Sequence, residues 1–167
     1  KGDKLLYQDK KGYEDPWRKH HQSSITRDIW LCTLDREHSF QKITSFKGED
    51  RNPVWATDGS SFYYLSEEKG SFNIFKNDLT GRNSRQITNH TMHPVRFLTS
   101  DNNGNLCYGY DGEIYTVKEG TQPKKVDVQI ISDKVENDLI HQLKASGATE
   151  FPLMAKKSLL SCAAMYM

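Results

Sequence analysis

"TDGSSFYYLSEEKGSFNIFKNDLTGRNSRQITNH" (residues 57–90) runs turn, strand, turn, strand, turn, short strand. Gly and Asp supply the positive-φ positions that tight hairpins need. Within the first strand Phe62 and Tyr64 alternate with Tyr63 and Leu65, so both of its faces are apolar. A sheet built from such strands has two faces to bury and cannot cover both alone. Sheets stacked on one another can.

The same order recurs. "NNGNLCYGYDGEIYTVKEGTQPKKVDVQI" (102–130) repeats it, and residues 1–46 repeat it around an insertion. Ile29, Ile74 and Ile114 mark the third strand of each copy, 45 and 40 residues apart. The closing strands "QKIT" (41–44) and "RQIT" (85–88) lie 44 residues apart, and "NPVWATDG" (52–59) aligns with "HPVRFLTSDNNG" (93–104). A period of about 40–45 residues carrying four short strands is the mark of a β-propeller blade. The expected fold is all-β, a partial propeller of about three four-stranded antiparallel blades, at about 1–46, 47–90 and 91–131. In the first, "GDKLLY" stands where "DGSSFYY" stands in the second, so that blade is expected to be incomplete. Residues 132–151 read as the start of a further blade. An ordinary β-sandwich and a chance repeat are the alternatives.

The chain of 167 residues has the length of one domain or of a piece of something larger. Lys plus Arg is 23 and Asp plus Glu is 22, so no net field draws it to nucleic acid or to an acidic membrane. Hydrophobic residues make up 35% and aromatics 11%, gathered in short alternating runs, which suits thin sheets better than a helical core. No apolar run approaches the roughly 20 residues of a membrane span, and no signal peptide opens the chain. Cys32, Cys107 and Cys162 show neither CxxC spacing nor an even count, which speaks against a disulfide framework or a zinc site. No cofactor is expected.

"KKGYEDPWRKHHQSSITRDIW", "TSFKGEDRNPVW", "DGSSFYYLSEEKGSFNIFK" and "MHPVRFLTSDNNGNLCYGYDGEIYTV" together resemble the N-terminal propeller of bacterial tricorn-like serine peptidases. The resemblance covers residues 1 to about 151, and TolB-type propellers share its blade pattern. It implies a non-catalytic propeller that filters peptides toward a catalytic domain carrying a serine nucleophile, in a periplasmic or secreted protein. Nothing in the chain matches that catalytic region. Partners implied are peptide substrates and the remainder of the peptidase. A free-standing TolB-like interaction propeller is the alternative reading. A hydrolase using its own channel residues lacks a supporting acid pair.

Two groups of residues are candidate sites. The insertion at 10–27 is far longer than the other hairpins, and Tyr13, Trp17, Arg18, His20 and His21 are placed to contact a peptide backbone or its carboxyl terminus. The competing reading has Trp17 packed on the rim with the charges solvated. Adjacent His20 and His21 diverge in an extended chain, so a metal is not expected there. "KGEDRN" (47–52) and "NHTMH" (89–93) lead into successive innermost strands, which would put Glu49, Asp50, Arg51, His90 and His93 at one channel mouth. Turn formation and ion pairing between blades would account for the same residues. Blade faces left uncovered would expose aromatic strand residues and promote self-association.

The tail "FPLMAKKSLLSCAAMYM" (151–167) has no turn residue after Pro152 and no acidic residue. Its codons read one base earlier permit "PDGKEIAFVMRGDVY", which parallels "YDGEIYTV" (110–117). Residues 152–167 are therefore read as a frameshifted tail outside any blade, disordered or packed as a short helix because Ala, Leu, Met and Lys favour one.

Overall fold

The computed structural model describes residues 2–10 and 25–131, together with the backbone of four short strands between 148 and 162. Lys1–Val128 form one compact unit and Gln129–Met167 a second. In the first unit, β1 (Lys4–Gln8), β2 (Ile29–Thr33) and β3 (Ser39–Lys42) make a three-stranded sheet. β4 (Asp50–Trp55), β5 (Ser61–Ser66), β6 (Asn73–Asp78) and β7 (Arg85–Gln86) make the second sheet. β8 (Arg96–Ser100), β9 (Asn105–Tyr110), β10 (Glu113–Lys118) and β11 (Lys124–Lys125) make the third. Within each of these sheets, strands adjacent in sequence pair antiparallel. This is the partial all-β propeller that the repeat predicts.

The alternation in β5 explains the stacking. Phe62 and Tyr64 pack with Ile29, Leu31, Ile43 and Phe75 between the first and second sheets. Tyr63 and Leu65 turn the other way and pack with Ile74, Val95, Leu98, Leu106 and Tyr108. All six residues of β5 are buried. Fully burying one Phe or Leu side chain stabilises by about 1.5–3 kcal/mol, so both layers contribute.

The repeat extends to single hydrogen bonds. The backbone N–H of Ile43, Ile87 and Val126 each donates to the carbonyl of Ile29, Ile74 and Ile114, at 2.8 Å in all three sheets. Consecutive sheets are joined by one recurring bond. The Asp50 N–H donates to the Arg27 carbonyl at 3.0 Å, and the Val95 N–H donates to the Phe72 carbonyl at 2.9 Å. The innermost strands also share a bulge, between Arg51 and Val54 in β4 and between Arg96 and Thr99 in β8. Asn52 (φ 53°) and Phe97 (φ 56°) hold the left-handed position in the two bulges, 45 residues apart. This register matches Arg51 with Arg96. It differs by four residues from the alignment of Pro53-Val54 on Pro94-Val95, because one Pro-Val pair lies inside β4 and the other precedes β8.

In the second unit, β12 (Ala148–Glu150) pairs with β15 (Ser161–Cys162), and β13 (Leu153–Met154) pairs with β14 (Lys157–Ser158). The short helix expected for this tail is therefore not what its described residues form. Helix propensity is a weak prior, and antiparallel pairing satisfies the same backbone groups here. Residues 132–147 lie outside the described residues.

Candidate functional site

Antiparallel order sends the chain to opposite ends of the sheets in turn. The segments leading into β4 and β8 emerge at one end. The β5–β6 and β9–β10 turns and the long β1–β2 connection emerge at that same end. The topology thus puts the segments entering β4 and β8 and the point where the insertion leaves β1 at the same end of their sheets. Tyr13, Trp17, Arg18, His20 and His21 themselves lie outside the described residues. The neck from which their segment departs is well defined. The Asp9 N–H donates to the Asp28 carbonyl at 3.1 Å, the Asp28 N–H donates to Asp9 Oδ1 at 2.8 Å, and Trp30 Nε1 donates to Asp9 Oδ2 at 3.1 Å.

The five residues of the second group do not form one cluster. Glu49 is buried and pairs with Arg27. Asp50 and Arg51 begin β4 instead of lying in a loop, and both are buried. The Arg51 guanidinium sits 4.1 Å from the Phe72 ring centroid, and burial pushes its pKa down. Burial pushes the Asp50 carboxyl up to about 7, against the lowering effect of the Ser66 and Thr44 hydroxyls. His90 enters an aromatic cluster, stacked on Tyr110 at 3.9 Å between centroids, with Nε2 2.9 Å from the Tyr108 hydroxyl. Burial lowers the His90 pKa and raises that of Tyr108. His93 is half-exposed, with Nε2 3.3 Å from Asp111 Oδ1.

His93, Arg96, Phe97, Tyr110, Asp111 and Ile114 line a cleft of about 630 Å³ on the third sheet. The repeat explains its shape. In the second sheet Ser71 and Phe72 hold the next strand, Ser71 Oγ donating to the His93 carbonyl at 3.0 Å and the Phe72 carbonyl accepting from Val95. By the strand register, Asp111 and Gly112 stand in their place on the third sheet. The cleft thus occupies, on the third sheet, the place where the second sheet receives the segment leading into β8. Sequence reasoning passed over Tyr110, Tyr115 and Asp111, because a Tyr in an alternating strand and an Asp-Gly turn look like structure alone. Among the described residues no group of three or more His, Cys, Asp or Glu is placed to hold a metal ion. No helix among them is long and apolar enough to cross a membrane.

These features define a partial β-propeller with a polar and aromatic rim. No protein-family model matches the chain. It is 27% identical to the tricorn protease homolog of Saccharolobus solfataricus over 126 residues, which span 74% of this chain and 11% of that protein. It is 24% identical to the tricorn protease of Thermoplasma volcanium over 111 residues, spanning 66% of this chain and 10% of that one. Among solved structures, the crystal structure of the tricorn protease matches with a TM-score of 0.65 and 21% identity, over 77% of this chain and 12% of that chain. A TolB candidate from Agrobacterium tumefaciens matches with a TM-score of 0.60 and 16% identity, over 74% of this chain and 45% of that chain. The chain spans about a tenth of the length of the tricorn relatives it matches. Its fold is a propeller of the tricorn and TolB type.

Proposed function

We propose that this chain is the non-catalytic propeller segment of a longer tricorn-like peptidase, where it serves as scaffold and admits peptides toward a catalytic region outside residues 1–167. One observation carries the reading. The insertion neck at Asp9, the His93–Asp111 pair and the His90–Tyr110 stack all stand at the same end of their sheets, and the two histidine sites adjoin the cleft of the third sheet. Rigid strands presenting variable loops at one end form a common arrangement for peptide capture. The tricorn relatives match across most of this chain, which supports the same reading. A periplasmic or secreted setting follows from the resemblance.

The test uses the full-length protein. Trp17→Ala with Arg18→Ala, and separately His93→Ala, are expected to raise KM for long peptides several-fold. Turnover of a small ester that needs no filtering should stay unchanged. Equal KM for long peptides in all variants would remove the gating role. A second reading is an interaction propeller of the TolB kind, whose fold this chain shares. Stable capture of a folded protein by the full-length chain, with no peptide turnover, would select it.

A further inference from the structure

The strand register puts Asp50 where the third sheet has Val95, and Ser66 where it has Tyr110. The recurring closing bonds likewise put Phe46 where the next copy has His90. Between the second and third sheets these positions are filled. Val95 is fully buried, and His90 stacks on Tyr110. The corresponding face of the second sheet carries the short, fully buried Ser66, and beside it lies a cleft of about 290 Å³ lined by Thr44, Phe46, Asp50, Tyr64, Glu68 and Ser84.

Asp50 is the anomaly in this cleft. It is 1% exposed, and among the described residues no donor meets its Oδ1. A buried polar atom left without a partner costs about 1–3 kcal/mol, more when charged. A strand that needed only to fill this position would carry Val, as the third sheet does. The lining offers acceptors and an apolar wall. Carboxylates come from Asp50 and Glu68, hydroxyls from Thr44 and Ser84, and the ring from Phe46, with no cationic side chain among the described lining residues. The Tyr64 hydroxyl is already engaged with Ser84 at 2.9 Å.

We propose that this cleft binds a small ammonium-bearing ligand, with Asp50 Oδ1 as its counter-ion. An ammonium group supplies three donors and a charge, which is what the acceptors and the lone carboxylate oxygen lack. Burial, with smaller contributions from the nearby Asp28 and Glu68 carboxylates, keeps Asp50 reluctant to ionise, and a bound cation offsets all three effects. A metal ion is the poorer fit, since the described residues hold no group of three or more His, Cys, Asp or Glu ligands. The volume is about that of ten waters and falls at the lower end for ligand pockets, which suits a molecule of a few heavy atoms. A free amine and the amino terminus of a peptide present the same group.

The test titrates the protein at pH 8 with n-butylammonium chloride, with n-butanol, and with Gly-Gly amide in its free and N-acetylated forms, following backbone amide NMR shifts. Saturable binding of n-butylammonium is expected, with shifts centred on Ser45, Asp50 and Ser84, and affinity at least about tenfold above n-butanol. Asp50→Asn is expected to abolish it. So is Glu68→Lys, which adds a competing cation to the lining and keeps Asp50. Binding of free Gly-Gly amide with its acetylated form silent would identify a peptide amino terminus as the source. Binding of n-butylammonium alone would identify free amines. Equal binding of n-butanol, unchanged binding by Asp50→Asn, or no binding by any probe would overturn the proposal.

Discussion

Thr88 Oγ1 accepts the backbone N–H of Ile74 at 3.0 Å and donates to Asn73 Oδ1 at 3.0 Å, both within the buried interior. Thr44 does the same for Ile29, accepting its N–H at 2.9 Å in the first sheet. The threonine of "QKIT" and "RQIT" is therefore the acceptor that serves a third-strand N–H in each of these sheets.

Thr88→Val leaves the Ile74 N–H and the Asn73 amide without that partner. The expected loss is about 1–3 kcal/mol in urea unfolding, while Thr88→Ser, which keeps the hydroxyl, should lose less than about 1 kcal/mol. Equal losses in the two variants would mean that the methyl group, and not the hydrogen bond, is what the site requires.

Two glycines give a controlled pair. Gly81 (φ 76°) turns so close to the first sheet that a Cβ would lie 2.2 Å from the Ile43 carbonyl oxygen, whereas Gly112 (φ 75°) faces open space. Gly112→Ala should cost about 1 kcal/mol, the usual strain of a left-handed Ala. Gly81→Ala should cost clearly more, because backbone must move. Similar melting temperatures for the two variants would contradict the close approach.

Most of the fold was legible in the sequence, because the period is written in side chains that must be apolar. Ile29, Ile74 and Ile114 occupy matching third-strand positions, and the alternation of Phe62 to Leu65 forecast two buried faces. The site was less legible. The Pro-Val pairs at 53–54 and 94–95 look alike but are four residues out of register, so matching them slipped the alignment and placed Asp50 and Arg51 in a loop. The histidines were noticed for their type. Their partners were not, since Tyr110 and Asp111 become neighbours of His90 and His93 only once strands from different parts of the chain are paired.

Asp50 sets a pH dependence. Its folded pKa of about 7 lies above the ordinary 3.8, so the native state holds the proton more tightly than the unfolded chain does. Its contribution is thus most favourable below pH 4 and is lost as pH rises to about 7. Asp50→Asn, which never ionises, should gain stability over the parent between pH 5 and pH 8, by roughly 2 kcal/mol. A difference that stays flat or shrinks with rising pH would show that the carboxyl ionises freely in the fold.

Phe97 is 69% exposed and Ile114 45% exposed, both lining the larger cleft of the third sheet. We expect the isolated chain to self-associate through this face in a concentration-dependent way. Phe97→Asp combined with Ile114→Lys should shift light scattering toward a monomer without lowering the melting temperature by more than a few degrees. Identical mass distributions for parent and variant would locate any association elsewhere.

The recurring backbone bonds from Asp50 to Arg27 and from Val95 to Phe72, beside the packed side chains, tie each sheet to the one before it. A chain fastened in this way behaves under tension as links in series. Pulled from its ends, the first unit should yield in discrete steps, one sheet at a time, each step releasing a few tens of residues of contour length. The force needed at each step is set by the pair of sheets being parted. The junction holding the underfilled Asp50 cleft should therefore give way at lower load than the one locked by the His90–Tyr110 stack.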